Sequence, residues 1–310
     1  VVLEENMENN MIDEVIKQVI EELRKEGSIN NSFESCQTNY GVFDNMDEAI
    51  EAADKAQKQL YDLSIDERDR FADIIRETVL KEENLQLLSN MAVEETKIGR
   101  VSDKLIKNRV AAIKTPGKED LRTNALTGSN GLMIEEYCPF GVIGSITPTT
   151  NPTETIISNS ISMIVGGNSV VFSPHPRAKE TSITLIQMLN QALVSGGAPA
   201  NLITMVREPS IEATNIMMNH PKVRLLVATG GPGIVKTVLS SGKKAIGAGA
   251  GNPPVVVDET ADIEKAAKDI VNGASFDNNV PCIAEKEVFV VESQIDNLIY
   301  YMKNNGAYLL

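Results

Sequence analysis

The sequence predicts an α/β fold: a Rossmann-type parallel sheet with helices on both faces, joined to the first part of a second α/β unit. Three observations predict it. From residue 141 onward, short runs rich in Val, Ile and Leu alternate with windows of helical periodicity. The runs are apolar on both faces, as strands buried between two helical layers must be. Turns carrying glycine or proline separate the elements, at spacings that leave room for a crossover helix between parallel strands.

Taken in order, the strand-like runs are 141–147, 169–172, 202–206 and 224–228, with a shorter one at Ala245-Ile246. Helical windows cover 153–165, 178–194, 211–218 and 234–240 between them. A sheet of this kind binds ligands beyond the carboxyl ends of its strands, where the strand order reverses. The second unit opens with a strand at 254–257 and a helix near 263–272. A cysteine loop, a strand from Val288 and a helix near 295–303 follow.

Upstream, residues 42–114 read as helical throughout, and Ser64-Ile65-Asp66-Glu67 has the form of a capping box. Gly128-Ser129-Asn130-Gly131 is a turn signal ahead of a strand at 132–136. The first segment stands apart. Met11, Ile12, Val15, Ile16, Val19, Ile20 and Leu23 recur at helical spacing opposite a charged face, and Gly27-Ser28 and a polar run close the helix. Such a short helix cannot bury its stripe alone. It either packs on its own domain or a sister subunit, or inserts into a groove on a partner. The expected organisation is 1–38 as helix and linker, 39–246 as the nucleotide-type domain and 247–310 as part of the second.

A net charge of −14 argues against nucleic acid or an anionic membrane as partner. No apolar run approaches the ~20 residues of a membrane helix. Cys36, Cys138 and Cys282 are widely spaced, without a metal-type pattern, and fit a reducing, cytoplasmic compartment. No metal site is expected. An anionic cofactor gains nothing from the global field, so backbone N–H groups and helix N-termini must hold it.

Four segments are candidates for chemistry. Thr229-Gly230-Gly231-Pro232-Gly233 lies between a strand and a helix, where glycines admit a pyrophosphate; a tight turn needs glycine equally. Ser173-Pro174-His175-Pro176-Arg177 follows a strand, where Arg177 either meets a phosphate or is a solvated residue opening a helix. His175, held between prolines, suits a shaped loop better than a proton shuttle, and His220 before Pro221 reads as a surface or capping residue. Thr147-Pro148-Thr149-Thr150-Asn151-Pro152 ends the first strand, and its Asn151 is an oxyanion donor or a turn residue. Cys282 sits in a polar loop behind Asp277-Asn278-Asn279. A lone cysteine is most often a small buried hydrophobe. Gly247-Ala248-Gly249-Ala250-Gly251 upstream carries no carboxylate and no histidine, so a nucleophilic Cys282 has no evident partner to activate water.

Together these segments, with Thr115-Pro116-Gly117-Lys118-Glu119-Asp120-Leu121, resemble the aldehyde dehydrogenase superfamily from about residue 42 to 310. Within it they are most similar to the coenzyme A-acylating branch of bacterial microcompartments and clostridia. The resemblance implies Cys282 as nucleophile and Asn151 as oxyanion donor, although strict matching of Pro148 and Pro152 places Thr150 at the family's asparagine. It implies NAD binding by Thr147, Pro148, Ser173, His175, Pro176, Arg177, Thr229, Gly230, Gly231, Gly233, Gly247, Ala248 and Gly249. Hydrolytic relatives carry a water-activating glutamate where this chain has Gly247 or Ala248. Their Lys-Pro-x-Glu ribose motif is matched by Ser173 and Pro176, which leaves NAD against NADP open.

The implied activity is oxidation of a short-chain aldehyde to acyl-CoA through a Cys282 thioester, with coenzyme A as co-substrate. The rivals are a hydrolytic aldehyde dehydrogenase, a non-catalytic shell-associated nucleotide binder and the aldehyde half of a bifunctional enzyme. The resemblance also implies an oligomerisation hairpin near 122–140, a homo-oligomer, and a docking helix at 11–26 for a microcompartment shell protein. It further implies that the chain is a fragment, with a ribose-binding glutamate and a C-terminal strand lying beyond Leu310.

Overall fold

The computed structural model describes residues 39–310, so the helix expected over 11–26, its linker and Cys36 lie outside the described residues. A six-stranded parallel sheet in the order β1-β6-β5-β4-β7-β8 organises the described chain. The strands are β1 (Val42–Phe43), β4 (Val142–Thr147), β5 (Ser169–Pro174), β6 (Ile203–Val206), β7 (Val223–Thr229) and β8 (Lys244–Ala248). Helices α1 (Met46–Tyr61), α2 (Ile65–Leu80), α3 (Glu82–Thr96) and α4 (Val101–Lys114) precede the central strands. The crossovers are α5 (Pro152–Val165), α6 (Lys179–Ser195), α7 (Ile211–Asn219) and α8 (Pro232–Leu239).

Period-two alternation of apolar side chains divides the sheet between two cores. Ile143, Val170, Phe172, Ile203, Met205 and Leu225 pack against α2, α3, α5 and α6 on one face. Val142, Ile146, Val171, Val206, Val223, Leu226 and Ala228 meet the first turns of α1, with α7 and α8, on the other. Ser64 and Glu67 form the expected capping box on α2, Ser64 N–H donating to Glu67 at 2.8 Å and Glu67 N–H to Ser64 Oγ at 3.3 Å.

The chain builds outward from β4 through β5 to β6, then returns to place β7 on the other flank of β4. The strand order therefore reverses between β4 and β7, and a crevice opens at their carboxyl ends. Two expectations need correction. Residues 42–43 are not helical: β1 pairs in parallel with Met205 and Val206 at the sheet edge, a stretch too short for periodicity to reveal. The last strand of the sheet runs on to Ala248, two residues beyond the expected strand end at Ile246.

An antiparallel hairpin, β2 (Asn124–Gly128) with β3 (Gly131–Glu135), carries exposed Leu126, Leu132, Met133 and Ile134. In the second unit β9 (Pro254–Val257) pairs in parallel with β10 (Glu287–Val290), across α9 (Ile263–Ser275). With α10 (Ile295–Asn304) they enclose a small core of Val257, Ala267, Ile270 and Leu298. No described helix is long and apolar enough to cross a membrane. Phe172, fully buried in the central sheet, is expected to cost about 3–5 kcal/mol when truncated to alanine, read as a shift in the urea midpoint.

Candidate active site

The carboxyl ends of β4, β5 and β7 open into a cleft of about 470 Å³. Of the residues expected there, Thr147, Pro148, Asn151, Ser173, His175, Pro176, Thr229, Gly230, Gly231, Gly249 and Cys282 line it. The strand-to-helix turns place them, since a parallel sheet delivers every such turn to one edge. Arg177, Gly233, Gly247 and Ala248 do not line it. The Arg177 guanidinium donates instead to the Thr96 carbonyl at 2.9 Å, at the end of α3, where a cation satisfies a terminal acceptor. Gly247 packs β8 onto α8, and a Cβ there would fall 2.8 Å from Val235 Cγ1.

Asn151 occupies the N-cap position of α5 but makes no capping bond with its side chain. Its Oδ1 accepts from Lys107 Nζ, and its Nδ2 donates to Thr150 Oγ1 at 3.1 Å. The turn-residue reading therefore leaves its carboxamide unexplained. Both Thr150 and Asn151 face the cleft, at the two positions that sequence matching leaves open.

Cys282, half-buried and free, reaches the same cleft from the second unit. A sharp reversal after α9 delivers it: Asp277, Asn278 and Asn279 have φ of 48°, 56° and 60°. Asp and Asn tolerate this left-handed region better than other L-residues, at a cost on the order of 1 kcal/mol each. Polar bonds hold the turn. Asn279 Nδ2 donates to the Ala274 and Glu285 carbonyls at 2.7 and 2.9 Å, and its Oδ1 accepts from Lys286 Nζ at 2.6 Å. The glycine-rich segment passes so close that a Cβ on Gly251 would lie 2.0 Å from the Cys282 carbonyl oxygen.

Asp277 is fully buried and anchors the turn to the first unit. Its Oδ2 lies 2.6 Å from Lys107 Nζ and 3.1 Å from Lys104 Nζ, and its Oδ1 accepts from Arg100 N–H at 2.8 Å. Glu154 Oε1 lies 3.1 Å from Lys107 Nζ, so two cations meet two carboxylates. Burial pushes the Asp277 carboxyl up, but the Lys107 and Arg100 hydrogen bonds outweigh it and hold it below the usual range. Burial likewise pulls Lys107 down, and Glu154 with Asp277 reverses this to a raised value. Burial dominates at Lys104, which is lowered despite Glu154.

His175 Nδ1 accepts from Arg177 N–H at 3.1 Å, and burial with the nearby Arg177 charge depresses its pKa, so it shapes its turn as a neutral ring. His220 caps the end of α7, away from the cleft. Ser173 Oγ is spent on Thr214 Oγ1 at 2.7 Å. The N-terminus of α6 is also taken, because Glu95 accepts from Glu180 and Thr181 N–H at 2.8 Å each. By contrast α8 has no side-chain cap, and the buried Thr147 Oγ1 on the cleft wall has no hydrogen-bond partner. Both leave polar capacity that suits a dinucleotide in this crevice.

The model of the aldehyde dehydrogenase family matches residues 30–307. The chain belongs to the aldehyde dehydrogenase family. It is 50% identical over 270 residues to a propanal dehydrogenase (CoA-propanoylating) of Salmonella typhimurium, covering 87% of this chain and 58% of that protein. The structure of Rhodopseudomonas palustris propionaldehyde dehydrogenase with bound CoA and an acylated cysteine is similar at a TM-score of 0.85 and 63% identity, covering 87% of this chain and 61% of that one. A propionaldehyde dehydrogenase from the Clostridium phytofermentans fucose utilisation bacterial microcompartment gives 0.84 and 52%, covering 87% and 62%. The chain thus spans somewhat over half the length of these aldehyde dehydrogenases.

Sequence reasoning missed Lys104, Lys107 and Glu154 behind the cleft wall, and Ser210, Ile211, Thr214 and Lys286 on it. Lys104, Lys107, Ser210, Ile211 and Thr214 carry no mark in the local pattern, since each reaches the site across the chain, whereas Glu154 and Lys286 stand close to Asn151 and Cys282 in the sequence. Because the Asp277 pKa is lowered on folding, its contribution is present above about pH 3.9 and lost as pH falls through the folded value. Asp277→Asn is expected to cost about 3–5 kcal/mol at neutral pH, and the gap from the parent in denaturant titrations should close at acid pH. Gly251→Ala should displace the Cys282 backbone while the sheet core stays intact: the rate of Cys282 alkylation by iodoacetamide should change several-fold, with far-UV circular dichroism unaltered.

Proposed function

We propose that the full-length protein oxidises an aldehyde of two to four carbons to acyl-CoA through a Cys282 thioester. The observation that carries this is the composition of the cleft: Cys282 and Asn151 face it together, and among the described residues no carboxylate lines it. A water-using relative must deprotonate its nucleophile. Water at pKa 15.7 lies about 7 units above a thiol at about 8.5, roughly 10 kcal/mol at 1.36 kcal/mol per unit. An acceptor thiol is already a few per cent ionised near neutral pH and needs no such base. The names of similar propanal, propionaldehyde and acetaldehyde dehydrogenases support the two- and three-carbon members of that range.

In this reading the Cys282 thiolate adds to the aldehyde carbon, and the carbonyl oxygen becomes an oxyanion. The Cys282 backbone N–H and the Asn151 carboxamide hold that charge. NAD or NADP, bound along Thr147, the 229–231 turn and α8, supplies the hydride acceptor. Cys282 then carries a thioester; the sulfur of coenzyme A attacks its carbonyl carbon, the bond to Cys282 breaks, and the thiolate is regenerated. The segment 11–26, expected from its periodicity to be helical, is proposed to dock on a microcompartment shell protein, which would place the enzyme inside such a compartment in the cytoplasm. The exposed apolar side chains of the β2–β3 hairpin are proposed to pair with a second copy in a homo-oligomer.

Formation of NADH by the full-length protein should depend on added coenzyme A, and Cys282→Ser should abolish both NADH formation and acyl-enzyme detected by mass spectrometry. Steady turnover to free carboxylate without coenzyme A would instead favour the hydrolytic reading.

A further inference from the structure

Two side chains decide the chemistry proposed above, one on α5 and one on the second unit, and a single ammonium touches the supports of both. Lys107 Nζ donates to Asn151 Oδ1, lies 2.6 Å from Asp277 Oδ2 and 3.1 Å from Glu154 Oε1. Asparagine at an N-cap ordinarily turns its oxygen toward the N–H groups of its own helix. Here that oxygen is drawn away to Lys107. An ammonium has donors and no acceptor, so the contact fixes which end of the carboxamide points where. The NH2 group is left on the other side, with one hydrogen bond to Thr150 Oγ1. An oxyanion needs a donor in that place and would be repelled by the carbonyl end.

The other contact reaches the nucleophile. Asp277 opens the left-handed turn that leads into Cys282, and its fully buried carboxylate has Lys107 as its nearest cation. Lys104 braces the same carboxylate at 3.1 Å but meets the 150–151 segment only at the Thr150 carbonyl, leaving the Asn151 side chain untouched. We infer that Lys107 is a positioning residue for the proposed reaction: it orients the Asn151 carboxamide as oxyanion donor and ties it to the turn that carries Cys282. The inference rests on the acyl-transfer reading of the cleft.

Its test is a double-mutant cycle in the full-length enzyme, read by the single-turnover burst of NADH with propanal before coenzyme A is added. Lys107→Met should slow the burst by roughly tenfold to a hundredfold, somewhat less than loss of an oxyanion donor itself. Dinucleotide affinity by fluorescence titration should stay within about twofold of the parent, because Lys107 does not line the cleft. In an Asn151→Ala background the same change should slow the burst by a clearly smaller factor, since only its hold on the Asp277 turn is left to lose. Lys104→Met removes a charge from the same cluster and should leave the burst much closer to the parent. Should Lys107→Met fail to fold, the cycle is run with Lys107→Arg, which keeps the charge balance: a smaller loss, reduced further without Asn151, is expected.

An unchanged burst in Lys107→Met, a loss that multiplies with that of Asn151→Ala, or an equal loss in Lys104→Met overturns the inference. A parent enzyme without coenzyme A-dependent NADH formation overturns the functional reading instead. The two failures are therefore distinct.

Discussion

The buried Asp277 carboxylate is the constraint from which the rest of the site follows. Taking two cations and two carboxylates out of water costs several kcal/mol for each ion, and close pairing with additional hydrogen bonds must offset it. Asp277 meets that condition with Lys104, Lys107 and the Arg100 N–H, while its own N–H donates to Asp103 at 2.8 Å. Its partners on α4 and at the start of that helix belong to the first unit, whereas Asp277 belongs to the second. Removing any one partner strands a charge, so the arrangement has a single acceptable geometry. A hydrophobic contact of equal area would tolerate sliding; this one does not. Gly99 shows how tight the fit is: at φ 82° a Cβ would lie 2.1 Å from Asp277 Oδ1.

That fixed point makes the strained turn affordable. Three successive residues in the left-handed region would relax if the chain were free to do so. Asp277 is pinned by charge at one end, and Asn279 and Lys286 brace the carbonyls around Cys282 at the other. The result is a thiol held at the edge of a cleft that the sheet alone would create. The sheet contributes the strand ends and the reversal of strand order; the ionic cluster decides where sulfur stands relative to them. Gly251 then lets the glycine-rich segment close against the Cys282 carbonyl from the other side.

Much of this was legible in the sequence because it follows from local pattern. The β/α alternation from residue 141 reproduces the observed elements to within about two residues at most ends, and strand ends were the right place to seek the cleft. Cys282, Asn151, Thr147 and the 229–231 turn meet there for that reason. What the sequence does not show depends on tertiary contact. Arg177 is expected either to meet a phosphate or to open a helix in solvent; α3 offers it a carbonyl that no local pattern shows. The resemblance implies cofactor contact at Gly247; in the structure the residue serves strand-to-helix packing and does not line the cleft. Lys107 was invisible because its partners lie 44 and 170 residues away along the chain. A helix with Lys104 and Lys107 one turn apart reads as a solvated face until the fold buries them.

Electrostatics narrows where an anionic cofactor can sit. The chain carries a net charge of −14, so the global field repels a pyrophosphate and attraction must be local. Glu95 already fills the N-terminus of α6, the helix that follows the Ser173–Arg177 segment, and Arg177 is turned away to α3. The cations of the buried cluster are matched by Glu154 and Asp277 and offer no surplus charge. The starts of α5 and α8 have no side-chain cap, and α8 lies on the flank of β4 where the strand order reverses; the Thr147 hydroxyl on the cleft wall is unpartnered. Dipole and hydroxyl together favour an anion on the β7 side of the cleft over the β5 side. A phosphate placed at α8 leaves the start of α5, with Asn151 and Cys282, free for the aldehyde of the proposed reaction.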